Sequence, residues 1–266
     1  MKFFIAQLNP IVGDLEGNAK KILNVTGKAY LNSADMVLTP ELSLWGYPSK
    51  DLLLKKDLIE RQYFILDQLS ISIHKKYGNL SITVGIAEKI NDSFFPNLYN
   101  SIVLIESGKW KTIARKIILP TYEVFDEKRY FRSQERVSVI SKTINNNTYK
   151  LGITICEDLW VNENIEGRGI HKKNPIINLK SKKIDLLLNL SASPYTFKKF
   201  NLRNKISSFA AKYLQVPLIY VNQIGANDDL IFDGNSFIMN KNGSKIKQLN
   251  SFSEDTSSWD LSLIHI

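Results

Sequence analysis

Short apolar runs rich in Ile, Leu, Val and Phe alternate along this chain with longer stretches whose apolar residues recur at helical spacing. That alternation restricts the fold to the α/β class. Residues 2–8 read as a strand, 17–32 as a helix with Ala19, Ile22, Leu23 and Tyr30 at helical spacing, and 35–38 as a second strand. A long helix is expected over 53–77, with Leu58, Phe64, Ile65 and Leu69 on one side and Gly78 closing it. Strands follow at 80–87, 100–106 and 109–115, the last two joined by a Ser107-Gly108 turn of hairpin type. Further strands at 148–155, 184–190 and 217–222 bracket a helix at 198–214, and 236–240 pairs with 244–249 as a hairpin across 241–243. The order predicts a mixed sheet in one domain over residues 1–250. The polar, Lys-rich segment 162–183 reads as a surface excursion, and 251–266 loses periodicity and reads as an irregular tail at an edge.

Composition narrows the function classes. A single cysteine excludes a disulfide framework, and with three scattered histidines (His74, His171 and His265) it offers no zinc-ligand cluster. No segment approaches the ~20 apolar residues that span a bilayer, and the first residues enter an ordinary strand rather than a secretory signal. The cytoplasm is therefore the expected compartment. The net charge of +9 comes from 28 lysines against seven arginines, spread along the whole chain. Arginine is the preferred bidentate reader of phosphate and guanine, so a dispersed lysine surplus argues against a nucleic-acid partner.

The lone Cys156 ends the apolar run 151–155 and is followed at once by Glu157 and Asp158. Most lone cysteines are small buried apolar residues. A strand end, however, positions a side chain rigidly while the next loop opens a pocket, which suits a nucleophile. Glu41 and Lys116 also close strand-like runs. Taken singly, the first reads as a capping carboxylate and the second as a solvated lysine. Together with a thiol they are the parts that cleavage of an amide needs. A free thiol ionises near ~8.5 and needs a base or a cation beside it. A carboxylate in an enclosed pocket can carry the proton, and a compact ammonium can face a developing oxyanion.

Three segments carry these residues in order: TPELSLWGYP at 39–48, RKIILPTY at 115–122 and GITICED at 152–158. They resemble the signature segments of the nitrilase (carbon–nitrogen hydrolase) superfamily, whose Glu-Lys-Cys triad falls on Glu41, Lys116 and Cys156. Further segments, AQLNPIVGD at 6–14, DLLL at 51–54, VFDEKRYF at 124–131, SASP at 191–194, YVNQIG at 220–225 and FDG at 232–234, are similar to one subfamily. It is the N-terminal glutaminase domain of glutamine-dependent NAD⁺ synthetases, and the resemblance runs to about residue 249.

The resemblance implies a nitrilase-like four-layer α-β-β-α sandwich, L-glutamine as substrate, and a cysteinyl thioester on the path to glutamate and ammonia. It implies Tyr122, Ser193 and Lys199 as glutamine-binding residues, with Glu157 beside the substrate amine and Tyr47 and Phe125 as pocket walls. Read without it, Tyr122 is a packed aromatic, Ser193 a helix cap and Lys199 a solvent lysine. No metal or cofactor is implied for this domain. ATP and Mg²⁺ belong to the synthetase domain that follows in the family, whose phosphate loop does not occur here. A homo-oligomer built through a face of the sandwich is expected too. The family often has a second glutamate supporting the triad. Its usual position here is Val124, leaving Glu123 or Glu127. A free-standing amidase for another small amide, or a non-catalytic assembly module, are the alternatives.

Overall fold

The computed structural model describes residues 1–92, 94–122, 124–161 and 173–262. Two six-stranded sheets stack face to face. In the first, β1 (Lys2–Gln7), β2 (Met36–Leu38) and β3 (Ser81–Lys89) run parallel, and β4 (Leu98–Glu106) and β5 (Lys109–Arg115) continue as an antiparallel meander. In the second, β6 (Ser138–Ile144) pairs antiparallel with β7 (Asn147–Ile155). The strands β7, β8 (Leu186–Ser191) and β9 (Leu218–Asn222) are parallel. A small hairpin, β10 (Ile224–Asn227) and β11 (Leu230–Asp233), precedes β12 (Phe237–Met239) and β13 (Lys245–Gln248), which close the second sheet.

Helices α1 (Leu15–Leu31) and α2 (Lys56–Tyr77) cover the outer face of the first sheet, and α3 (Pro175–Lys180) and α4 (Lys199–Leu214) that of the second. This is the expected α-β-β-α sandwich. Its apolar runs follow from its layers. Phe3 and Ile5 of β1 enter the core between the sheets, while Phe4 and Ala6 face α1 and α2. Strands buried on both faces lose the polar alternation of a half-exposed sheet.

Four sequence expectations need correction. The stretch 251–266, expected to be an irregular tail, contains β14 (Asp255–Asp260), which pairs antiparallel with β1 along its whole length. Its sequence, DTSSWD, shows no apolar alternation because backbone pairing holds it, anchored by Trp259 stacked 6.4 Å from Phe3. In α2, Phe64 is 54% exposed, and the buried stripe is Ile59, Gln62, Leu66, Leu69 and Ile73. Gln62 takes an apolar slot because its amide bonds both the N–H and the C=O of Ala87 and accepts from the Trp45 indole. Tyr30 of α1 is likewise exposed and leans on Tyr77. Finally, β6 and α3 are absent from the periodicity. β6 is a half-buried edge joined to β7 through Asn145 and Asn146, both at positive φ, and α3 lies inside the expected excursion, capped by Asn174.

Candidate active site

The ends of β2, β5, β7 and β8 converge, and each delivers one part of a buried polar cluster. After β2 the chain folds into a tight turn at residues 41–45 that lies flat on β3. Thr39 Oγ1 donates to the Thr83 carbonyl, the Leu44 N–H donates to the Gly85 carbonyl, and the Gly85 N–H donates to Ser43 Oγ. Only glycine fits below this turn, since a Cβ at position 85 would stand 2.2 Å from the Leu42 nitrogen. Gly85→Ala is therefore expected to lower the unfolding free energy by about 3 kcal/mol, as overpacking against rigid backbone does. Denaturant titration of the two proteins measures it.

The turn presents Glu41, which is 0% exposed and held by three donors. Oε1 accepts from Asn100 Nδ2 at 2.7 Å and from Lys116 Nζ at 2.7 Å, and Oε2 accepts from the Ala192 N–H at 2.9 Å. Lys116 extends the β4–β5 ladder by one bond, its N–H donating to the Asn100 carbonyl. Its ammonium is 1% exposed and also donates to Glu127 Oε1 at 2.7 Å. Burial works against this ammonium, but the carboxylates of Glu127 and Glu41 outweigh it and hold the Lys116 pKa above its ordinary value.

Glu127, one of the two candidate supporting glutamates, lies against Lys116; the other, Glu123, lies outside the described residues. Glu127 Oε1 also accepts from the Tyr47 hydroxyl at 2.7 Å. Val124, at the family's usual spacing, is exposed. Burial pushes the Glu127 carboxyl up to about 7, with Lys116 pulling it down and Glu41 pushing it further up. Ionisation of Glu127 completes the grip on the ammonium as pH rises through that value. We expect kcat/KM to climb as pH rises through about 7, and Glu127→Gln to make that rise shallower, with Asp158 supplying what remains; a pH–rate series on both proteins reads it directly.

Cys156 closes β7 and opens a short 3₁₀ turn, Cys156–Leu159, at φ +43°. A non-glycine residue in that region carries strain of about 1–2 kcal/mol. The turn is braced by Asn189, whose amide donates to the Cys156 carbonyl at 3.3 Å, and by Asp158. Asp158 accepts the backbone N–H groups of Ile117, Ile118 and Ile155 at 2.7–3.0 Å. Burial pushes Asp158 up to about 7 against the pull of those amides and of Lys116. The Cys156 thiol is buried and its pKa raised, first by burial and then by the charge of Glu41, with Lys116 opposing. All three side chains are buried, and the charges of Glu41 and Lys116 both bear on the thiol.

The other expected residues form the wall beside it. The Tyr122 hydroxyl donates to Glu157 Oε2 at 3.0 Å, and its ring meets Phe125, which in turn meets Tyr47. Lys199, the first residue of α4, stands 6.0 Å from the Phe125 ring and 5.7 Å from that of Trp160. Ser193 sits in the turn after β8, next to Ala192 on Glu41. Asn222 clamps that turn by accepting the Ser193 N–H and donating to its carbonyl.

Sequence reasoning missed Asn100, Asp158 and the backbone of Ala192. Asn100 left one signal, a polar amide in the middle of a strand, where Asn is disfavoured. Asp158 directly follows the Cys156-Glu157 pair. A backbone donor leaves no trace in residue identity.

Known proteins resemble this chain over nearly its whole length. A Synechocystis protein described as a glutamine-dependent NAD(+) synthetase is 43% identical over 97% of this chain and 46% of its own length. A Thermotoga maritima protein of the same description is 33% identical over 99% of this chain and 42% of its own. The chain spans somewhat under half the length of these curated relatives. The solved structure of the Acinetobacter baumannii glutamine-dependent NAD⁺ synthetase superposes with a TM-score of 0.83 at 33% identity, covering 99% of this chain and 46% of that one. An amidase of the nitrilase superfamily from Nesterenkonia shares the fold, with a TM-score of 0.77 at 17% identity over 97% of this chain and 89% of its own. The carbon-nitrogen hydrolase family profile matches residues 5–265, a span that takes in all three strand-end segments, and the chain accordingly belongs to that family.

Proposed function

We propose that this chain hydrolyses the side-chain amide of L-glutamine to glutamate and ammonia through a thioester on Cys156. The observation that carries the reading is the Lys116 ammonium fixed 2.7 Å from both Glu41 and Glu127 in the buried space that holds the thiol. Glu41 takes the thiol proton as sulfur attacks the amide carbon. The tetrahedral oxyanion is met by Lys116 and by a backbone N–H just after Cys156, a kind of donor worth roughly 3–4 kcal/mol each. Glu41 returns the proton to the departing ammonia, leaving the γ-glutamyl thioester. It then takes a proton from water, whose oxygen attacks the thioester carbon; the C–S bond breaks, glutamate leaves, and Glu41 passes that proton to the sulfur.

Glu127 and Tyr47 hold the ammonium in place throughout. In this reading Lys199 pairs with the substrate α-carboxylate and Glu157 with its α-ammonium, while Tyr122 and Ser193 fix them through hydroxyl groups. No step needs a metal or cofactor in this domain. The relatives' description supports the wider proposal that the ammonia serves a synthetase domain, which it would reach through a protein tunnel. That partner uses ATP and Mg²⁺ to amidate an adenylated dinucleotide, producing NAD⁺. In this reading the glutaminase unit runs through β14, and the assembly is a cytoplasmic homo-oligomer.

The test is acylation. Incubation with glutamine should release ammonia and glutamate in equal amounts, and a glutamine-mimicking electrophile should add once, on Cys156. Turnover of other small amides but not glutamine would replace this reading with a free-standing amidase. A Cys156 inert to the electrophile would leave a non-catalytic module.

A further inference from the structure

Lys116 and Cys156 belong to different sheets, and no β-ladder sets the distance between them. Lys116 follows β5 at the edge of the first sheet, whereas Cys156 closes β7 of the second. Stacked sheets lie ~10 Å apart and are free to slide by fractions of an ångström unless something ties them. Immediately past Lys116 the chain crosses over, since Ile117 and Ile118 bury their side chains in the outer core of the second sheet, with Leu159 and Trp160. One side chain joins this crossing directly to the turn that carries the nucleophile. Asp158 Oδ1 accepts from the Ile117 N–H at 2.9 Å and the Ile118 N–H at 2.7 Å, and Oδ2 accepts from the Ile155 N–H at 3.0 Å. Those amides belong to the two residues after Lys116 and the one before Cys156. The carboxylate is 2% exposed, so its bonds are not exchanged with water.

We propose that Asp158 is a positioning residue for the hydrolysis, its carboxylate fixing the Lys116 ammonium relative to the Cys156 sulfur. The inference rests on the glutaminase reading for its substrate but not for its geometry. Loss of the carboxylate frees the Lys116 segment from the turn that holds the nucleophile in its strained conformation. Misplacement of reacting groups by about 1 Å costs roughly 10²-fold in rate. A plain structural brace would instead lower stability and leave the folded fraction fully reactive.

Asp158→Asn keeps an oxygen for Ile117 and Ile118 but turns an NH₂ group towards the Ile155 N–H; Asp158→Ala loses all three bonds. Expected results for glutamine hydrolysis are a kcat about 10²-fold lower for Asp158→Asn and lower still for Asp158→Ala, with KM within about threefold of the parent. Because Cys156 is the only cysteine, intact mass after iodoacetamide reports its reactivity alone. Its alkylation rate, taken on protein whose circular dichroism is unchanged, should fall in the same order. Should Asp158→Ala not fold, Asp158→Asn, nearly equal in volume, carries the test. Folded Asp158→Asn with kcat and alkylation within about threefold of the parent overturns the proposal. A parent chain inert to glutamine, with alkylation still slowed in the variants, removes the glutaminase reading and leaves the positioning role standing.

Discussion

Cys156→Ala abolishes glutamine hydrolysis, lowering the rate by at least about 10⁴-fold, while leaving the fold and the binding of glutamine intact. The thiol is the only group in the cluster that can form the acyl bond, and neither Glu41 nor Lys116 can replace it. The structural cost is small because alanine keeps the Cβ and the backbone strain at φ +43° and removes one buried atom. Loss of a single core atom costs about 1 kcal/mol. It also removes a thiol whose ionisation burial and Glu41 both oppose. The pattern to be measured is a melting temperature within a few degrees of the parent, unchanged glutamine affinity by calorimetry, and no ammonia. Residual turnover above that level would mean that another group attacks the amide.

Lys116→Met damages both activity and stability. Methionine fills nearly the same volume, so the change isolates the charge. Oxyanion stabilisation is lost with the ammonium, and kcat should fall by about 10²–10³-fold, the size seen when one such donor is removed. The stability effect comes from what remains. Glu127 keeps only the Tyr47 hydroxyl, and Glu41 keeps Asn100 and the Ala192 N–H, with no cation between the two buried carboxylates. Removing one partner of a buried ion pair typically costs 3–5 kcal/mol, so a loss of about 4 kcal/mol is expected at pH 8.

The loss depends on pH in a defined direction. Burial already raises the folded-state carboxyl of Glu127 from an ordinary 4.5 to about 7, and removal of Lys116 raises it further. A group with a raised folded pKa contributes stability that is fully present below its unfolded pKa and is lost as pH rises through the folded one. The deficit of Lys116→Met should therefore be small near pH 4.5 and grow through pH 7. Urea titrations at pH 5 and pH 8 decide this; an equal deficit at both would show that Glu127 does not titrate against the lysine.

Read from residues alone, the layers of this protein are nearly complete. Most strands and the long helices follow from apolar spacing, because a strand buried on both faces and a one-sided helix leave different periods in the chain. An element held mainly by backbone pairing escapes that logic, as β14 shows. A side chain can also occupy a core slot by hydrogen bonding, as Gln62 does while Phe64 faces solvent.

The candidate site divides along the same line. Residue types and their places at strand ends determined that a carboxylate, an ammonium and a thiol are available, since those identities are written in the chain at 41, 116 and 156. Tertiary structure alone decided that Glu127 shares the ammonium, that Asn100 and the Ala192 backbone hold Glu41, and that Asp158 ties the two sheets beside the nucleophile. Those are contacts between segments as much as 151 residues apart. Their partners are set by how sheets stack and turns close, which no local period encodes.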